Sequence, residues 1–503
     1  MALAIIHTRA QLGVTAPLVN VEIHLSGGLP CFAIVGLPEA AVKESRERVR
    51  SALLNSGFDF PARRITVNLA PADLPKEGGR YDLAIALGIL LASDQLKVKQ
   101  LQAYEFMAEL GLGGELRPVR GVLPAAIACQ EAGNACWVAQ GNVAEAMLVD
   151  DLTVFSDSDL LSVCNSLSDE HRCSPTNAES TTVVSTNVAD MADIKGQHQA
   201  RRGLEIAAAG GHNILFSGPP GSGKSMLASR LPGLLPQLSR KDLLETAAIY
   251  SVAGMDSSSL LAGSRPFRAP HHTASSVALV GGGSKPRPGE ISLAHQGVLF
   301  LDELPEFPRT VLEVLREPLE SGKVEISRVA QQLSFPARFQ LVAAMNPCPC
   351  GYLGDSDGRC RCTPDQISRY QHKISGPLLD RIDLFSWVPG LPAEQLMARG
   401  GGESSDDVRG RVMLAHELQM QRQGCRNAEL ITADLEVYCA LGGVEQALLI
   451  NAMQRLKLSA RAAHRVLKVA RTVADMNQSE NINQTALLEA LGFRFNGVQV
   501  VAG

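Results

Sequence analysis

The segment Gly218-Pro219-Pro220-Gly221-Ser222-Gly223-Lys224-Ser225 constrains this chain more than any other stretch. It fits the pattern G-x-x-x-x-G-K-[ST], and it lies between the apolar run Asn213-Ile214-Leu215-Phe216 and the helix-like segment Met226 to Leu231. That setting is what the pattern needs. A strand leads in, glycines let backbone N–H groups close around a phosphate, and a helix leads out. Gly218, Pro219, Pro220, Gly221, Ser222, Gly223, Lys224 and Ser225 are therefore expected to bind a nucleoside triphosphate. Lys224 would reach the β and γ phosphates, and the Ser225 hydroxyl would ligate Mg²⁺.

A second element completes such a site. Gly297-Val298-Leu299-Phe300-Leu301-Asp302-Glu303 is an apolar run ending in two carboxylates, the look of a buried parallel strand whose C-terminal end faces a ligand. Alone, that pattern more often marks an ordinary strand end. Downstream of a phosphate loop it predicts that Asp302 holds the Mg²⁺ hydration shell and that Glu303 orients and deprotonates the attacking water.

With 503 residues the chain should form two to four domains. The net charge of −5 gives no global signal for nucleic acid, so any contact with a polyanion must be local. The N-terminus lacks a charged region before its apolar stretch and does not read as a signal peptide. No run of eighteen apolar residues is present, so no membrane span is expected. Eleven cysteines without a secretion signal point to reduced thiols in a cytoplasmic protein.

The predicted fold class is α/β. Residues 1–165 form a first α/β domain, with strands over Val19–Leu25, Cys31–Val35 and Ile65–Leu69 and helices over Glu39–Leu54 and Tyr81–Leu91. The Ser/Thr/Asn-rich stretch 166–191, whose polar character begins near Ser162, reads as a linker. Residues 192–390 alternate helix and strand, which predicts a parallel sheet around the phosphate loop. Residues 391–503 open with a glycine-rich loop, Gly400 to Asp407, and continue as a helical lid. Leu448, Leu449, Met453 and Leu456 form one apolar face there, and Val466, Leu467, Ala470 and Val473 another.

Phosphate loop, Asp302-Glu303, Ala344-Met345-Asn346-Pro347 and Gly376-Pro377-Leu378-Leu379-Asp380-Arg381-Ile382-Asp383 follow in an order that resembles AAA+ proteins of the magnesium-chelatase-like branch. Pro270-His271-His272-Thr273, Gly281-Gly282-Gly283, Arg287 to His295, Cys348-Pro349-Cys350-Gly351 and Val35-Gly36-Leu37-Pro38 resemble the ComM/YifB family over nearly the whole chain. That resemblance implies an ATP-driven helicase or branch-migration factor acting on DNA in natural transformation and recombination, built as a hexameric ring. It implies that Asn346 is the sensor of water and γ-phosphate and that Arg381 is an arginine finger entering the neighbouring subunit; the other reading of Arg381 is a surface arginine paired with Asp380 or Asp383. Arg461 matches a second sensor, with Arg465, one turn on, as competitor.

Two inserts resemble pore loops of ring helicases. One carries Lys285 and Arg287, the other Lys323 and Arg328 near a hairpin tip, and either set contacts DNA phosphates or forms ordinary surface loops. In the first domain, Leu74 to Asp82 and Gly113 to Leu123 resemble segments of Lon proteases, but Arg80 and Leu123 stand where the nucleophile and its lysine would be. The domain is expected to be non-proteolytic. Lys76, Arg80 and Arg120 then either line a surface for DNA or a partner or have a solvated structural role.

Cys348, Cys350, Cys360 and Cys362 form C-x-C-x₉-C-x-C around Gly351, Gly354, Asp355, Asp357 and Gly358. This is either a four-thiolate Zn²⁺ site or a pair of reduced, metal-free turns. His271-His272 reads as a hydrogen-bonding loop element rather than a metal site. The alternative to a DNA motor, with single-stranded, forked or branched DNA and recombination proteins as expected partners, is a chelatase-type or protein-remodelling ATPase of the same branch.

Overall fold

Along Leu18–Ser26 every second side chain, Val19, Val21, Ile23 and Leu25, is buried, as the alternating sequence requires. In the computed structural model, which describes residues 3–98, 101–168, 175–176, 189–283, 286–328, 331–354, 358–392, 394 and 402–501, this strand is the spine of a seven-stranded mixed sheet. The order is Cys31–Val35, Arg64–Ala70, Leu18–Ser26, Leu3–Arg9, Tyr104–Met107, Ala135–Ala139, Val154–Asp157. Leu18–Ser26 pairs antiparallel with both neighbours, so Val21 lies opposite Ile6 on one side and Leu69 on the other. Helix Asp82–Ala92 is apolar all round and buried accordingly. It lies so close to the sheet that a Cβ on Gly88 would stand 2.0 Å from Ile23 Cδ1. One ion pair lies inside this core: Arg9 Nε and Nη2 reach the Glu105 carboxylate at 2.5 and 2.7 Å.

The chain divides into two compact units. The first comprises this sheet and residues 1–183, with 243–257 and 327–334; the second takes 184–242, 258–326 and 335–503.

Several sequence-based expectations change in the first unit. Lys76 and Arg80 are buried, not surface residues. Lys76 Nζ donates to the Pro71 carbonyl, and Arg80 donates to Gln11 Oε1 at 3.0 Å and to the carbonyls of Arg9 and Arg120. Both cations are thus held by oxygens of their own unit. Arg120 is exposed, and Leu123 is fully buried among apolar neighbours. The helix expected over Glu39–Leu54 breaks at Glu44 into Ala40–Lys43 and Ser45–Asn55, with buried Ser45 Oγ held by Arg48 Nη2 at 3.1 Å. The polar stretch after Ser162 begins as helix Leu160–Ser168, because Val163, Cys164 and Leu167 share a buried face.

In the second unit five parallel strands run Phe267–Arg268, Val298–Leu301, Gln340–Met345, Ile214–Ser217, Leu384–Trp387. Val298–Leu301, Gln340–Met345 and Ile214–Ser217 are buried throughout, which explains their apolar character between the polar ends Gln340 and Ser217. The lid helices are Ser405–Gln423, Thr432–Tyr438, Gly443–Leu456, Ala460–Met476 and Gln484–Val501. Val466, Ala470 and Val473 are buried as the spacing predicts; of the other face only Leu449 is, with Leu448 and Met453 packed beside it. Ser405–Asp407, expected in the glycine-rich loop, instead form a first helical turn whose N-cap, Ser404 Oγ, accepts from the Asp407 N–H at 3.2 Å.

Asp383 ties the lid to the sheet. Its carboxylate pairs with Arg465 and accepts from the Asn213 N–H at 2.9 Å, with His212 Nδ1 at 3.8 Å. Burial alone would raise this carboxyl, yet Arg465 and His212 hold it well below the usual range. Its contribution to stability is therefore complete above the unfolded value of about 3.9 and is lost as pH falls toward the depressed native value. Asp383→Asn leaves Arg465 without its partner and is expected to destabilise this unit by about 3–5 kcal/mol. Chemical denaturation of parent and variant checks this, and the gap should narrow in acid.

Candidate nucleotide site

The phosphate loop follows strand Ile214–Ser217 and opens helix Lys224–Leu234, as its sequence context predicts. Gly221 and Gly223 have φ of +73° and +92°, and a Cβ on Gly218 would stand 2.1 Å from the Val388 carbonyl oxygen. The loop thus needs glycine twice for backbone shape and once for close packing. Lys224 is buried and curls over the loop. Its ammonium donates to the carbonyls of Gly218 at 2.7 Å and Pro219 at 2.9 Å, and to Asn346 Oδ1 at 3.2 Å. Burial lowers its pKa, against the pull of Asp302 and Glu303. The buried hydroxyl of Ser222 has no partner among the described residues.

Three neighbouring strands end on this loop. Ser217 pairs with Met345, so Asn346 emerges beside Gly218, whose N–H donates to the Met345 carbonyl at 3.3 Å. Strand Val298–Leu301 delivers Asp302, which accepts from Ser225 Oγ at 2.6 Å. The converging hydroxyl and carboxylate are the oxygen donors that Mg²⁺ takes, so the residues present fit that ion. Glu303 sits at φ +53°, a conformation rare for a residue with a side chain, and its own N–H donates to Asp302 Oδ1 at 2.9 Å. The strained turn aims its carboxylate at His272, Nδ1–Oε2 3.1 Å, with the His271 ring 4.1 Å from that of His272.

His272 is a site residue that sequence reasoning does not place beside the carboxylates. The available signal is position: Pro270-His271-His272 follows strand Phe267–Arg268, which pairs with the strand carrying Asp302 and Glu303. The expectation of a hydrogen-bonding loop element stands on observed contacts, since His271 Nδ1 also lies 2.9 Å from Thr273 Oγ1.

Arg381 differs from expectation. It is buried against its own chain, donating to the carbonyls of Arg316 at 3.1 Å and Pro377 at 2.6 Å and pairing with Glu320. It pairs with neither Asp380 nor Asp383, and in this conformation it is not free to project outward. Arg465 is committed to Asp383, whereas Arg461 is exposed on the first turn of its helix. No hydrogen bond joins Arg461 to the phosphate loop among the described residues. Lys285 lies outside the described residues, as does the side chain of Arg328, the last residue of strand Lys323–Arg328. Arg287 and Lys323 are exposed, Arg287 on a short antiparallel pair with Gly282.

The thiols of Cys348, Cys350, Cys360 and Cys362 lie within 4.8 Å of one another, the one such cluster of possible metal ligands among the described residues. Asp355 and Asp357 of the same loop lie outside the described residues.

Comparison with known families matches residues 190–396 to the magnesium chelatase, subunit ChlI, model. Residues 21–142 match the model for subunit ChlI of Mg-chelatase, and residues 402–494 its C-terminal model. The chain is 52% identical to competence protein ComM of Haemophilus influenzae, covering 98% of both chains. It is 50% identical to the YifB proteins of Salmonella typhimurium and Escherichia coli, over 98% of this chain and 97% of theirs. Similarity of this extent, reaching from the mixed sheet to the lid, places the chain in the ComM/YifB family of magnesium-chelatase-like AAA+ proteins.

Proposed function

We propose that this protein is an ATPase that converts hydrolysis into movement along DNA, as a helicase or branch-migration factor in the recombination that follows DNA uptake. The observation that carries the hydrolytic half is the convergence of Lys224, Ser225, Asp302, Glu303 and Asn346 at one edge of the parallel sheet. Lys224 would exchange its carbonyl partners for the β and γ phosphates. Ser225 and Asp302 would hold Mg²⁺, which neutralises phosphate charge when bound. Glu303 takes the proton of the attacking water, and Asn346, already bonded to Lys224, holds that water against the γ-phosphate.

The DNA half is supported by the relative named as a competence protein and by the exposed cations of the two inserts, Arg287 and Lys323, to which Lys285 and Arg328 add charge in sequence. A ring, hexameric by the family resemblance, would let six such loops grip phosphates without reading sequence. Completion of each site by a neighbour's Arg381 would require its Glu320 pair to open. Arg461, free of such a pair among the described residues, is the arginine of the lid that we assign to the γ-phosphate. A chelatase-type or protein-remodelling motor is the second reading, favoured by the family models.

The discriminating measurement is ATPase rate with and without single-stranded, duplex and forked DNA. Stimulation by DNA supports the motor; stimulation by a protein partner alone supports remodelling.

Glu303→Gln should abolish hydrolysis while sparing ATP binding, because the loop and Asp302 remain. Turnover near the parent rate would show that Glu303 is not the base. His272→Ala should lower kcat by about tenfold with nucleotide affinity unchanged, since only the hold on Glu303 is removed. Unchanged kcat, read by steady-state kinetics beside equilibrium nucleotide binding, would make the His272 interaction incidental.

Arg328→Ala should reduce DNA-stimulated ATPase and strand displacement together while basal ATPase persists. For every phosphate that the variant no longer neutralises, the salt dependence of duplex binding should fall by about 0.9 in log–log slope. Unwinding at the parent rate on a forked substrate would exclude the hairpin from DNA handling.

A further inference from the structure

We propose that Cys348, Cys350, Cys360 and Cys362 bind one zinc ion, and that this ion clamps the loop carrying Asn346 against the phosphate loop.

The geometry of the thiols comes first. The Sγ atoms of Cys348 and Cys350 are 3.4 Å apart, those of Cys348 and Cys360 3.8 Å, and those of Cys350 and Cys360 3.7 Å. A regular tetrahedron with Zn–S of about 2.3 Å has sulfur–sulfur edges of about 3.8 Å. The donors are all sulfur, a set that suits zinc and not Mg²⁺. The chain turns back between the two Cys-x-Cys arms through Gly351, Gly354 and Gly358, all at positive φ. Four ligands close the shell, so the ion is structural and takes no substrate.

The position of the loop gives the ion its role. Cys348 follows Asn346 by two residues and is fully buried. Gly351 lies flush on the phosphate loop: a Cβ there would stand 2.6 Å from Pro220 Cδ and 3.7 Å from Asn346 Cγ. Gly354 faces the ring of Trp387, the last residue of the strand on the other side of Ile214–Ser217. Beyond Cys362, Thr363 caps helix Pro364–Gln371, and Gln371 Nε2 returns to the Pro347 carbonyl at 3.1 Å. The loop thus bridges the Asn346 strand, the phosphate loop and the neighbouring strand. It has no strand or helix of its own among its described residues. Closing the four thiols on one ion removes the freedom that a segment without regular structure would otherwise keep.

The metal assignment stands by itself, and the clamp rests on the nucleotide reading above. The test uses the full chain purified without added metal. Elemental analysis should find about one zinc per chain, and cobalt exchanged into the site should show the visible bands of tetrahedral thiolate coordination. Four free thiols with no metal, two disulfides, or iron in place of zinc would each overturn the site. For the clamp, affinity for a fluorescent ATP analogue is measured on zinc-loaded, chelator-stripped and zinc-repleted protein. Stripping should weaken it by about fivefold or more, and repletion should restore it. If the stripped protein unfolds, reciprocity supplies a second measurement on intact protein. Saturating nucleotide should raise zinc affinity, in competition with a chelator, by the same factor. Zinc bound with no coupling in either direction would overturn the clamp. Zinc bound with no nucleotide affinity in the parent would instead overturn the nucleotide reading and leave the metal site standing.

Discussion

The register of three parallel strands governs the phosphate loop, and Asn213 sets that register. Its N–H donates to Asp383 Oδ2 at 2.9 Å, and its carbonyl accepts from the N–H groups of Asp383 and Leu384, both at 3.0 Å. Its side-chain oxygen accepts from Leu341 N–H at 2.8 Å, and its amide donates to the Arg381 carbonyl at 2.9 Å. One residue at the entry of strand Ile214–Ser217 thereby locks both neighbouring strands. Parallel strands rise together, so Gly218, Asn346 and Val388, each one residue past the paired Ser217, Met345 and Trp387, then leave the sheet side by side. A shift of one residue would exchange side chains between the two covered faces of the sheet and part Lys224 from Asn346.

The site is built but self-occupied. Lys224 donates to two loop carbonyls and to Asn346, so the buried ammonium is already partnered before any phosphate arrives. A buried cation without such partners would incur a large desolvation cost. On the proposed nucleotide reading, phosphate oxygens would replace these neutral carbonyls and make charge-assisted hydrogen bonds. Ser225 and Asp302 repeat the arrangement: their mutual hydrogen bond at 2.6 Å already brings the two oxygens together.

The sequence made legible whatever depends on neighbours along the chain. The strand before the phosphate loop, the acidic strand end and the buried face of the helix carrying Val466, Ala470 and Val473 follow from local pattern. Pairings across long separations were hidden. Arg381 finds Glu320, Arg80 finds the Arg120 carbonyl, and His272 finds Glu303, and nothing in the composition around any of them announces the partner. Charge also misleads in isolation. Lys76 and Arg80 read as surface cations because lysine and arginine are mostly exposed, yet here they satisfy carbonyls inside the first unit. The helix Leu160–Ser168 was obscured by its serines and asparagine, which lower helix propensity, while packing of Val163, Cys164 and Leu167 outweighed that preference.

The turn from Gly376 to Asp383 joins several of these features. Asp383 holds Arg465 of the lid and Asn213 at the entry of the phosphate-loop strand. Two residues earlier, Arg381 binds the Arg316 carbonyl and Glu320, and Glu320 belongs to the short helix Pro318–Ser321 that leads directly into strand Lys323–Arg328. Lid, phosphate-loop strand and hairpin base are therefore each bonded to one short segment. The Asp383 bonds are buried and resist opening, whereas the side chain of Glu320 is 61% exposed. Arg381 is buried and its partner is not, so water reaches this pair from the Glu320 side and weakens it. Of the links made by this turn, the one to the hairpin base is thus the easiest to exchange. Opening the Arg381–Glu320 pair would loosen helix Pro318–Ser321 and leave the Asp383 bonds to lid and sheet in place.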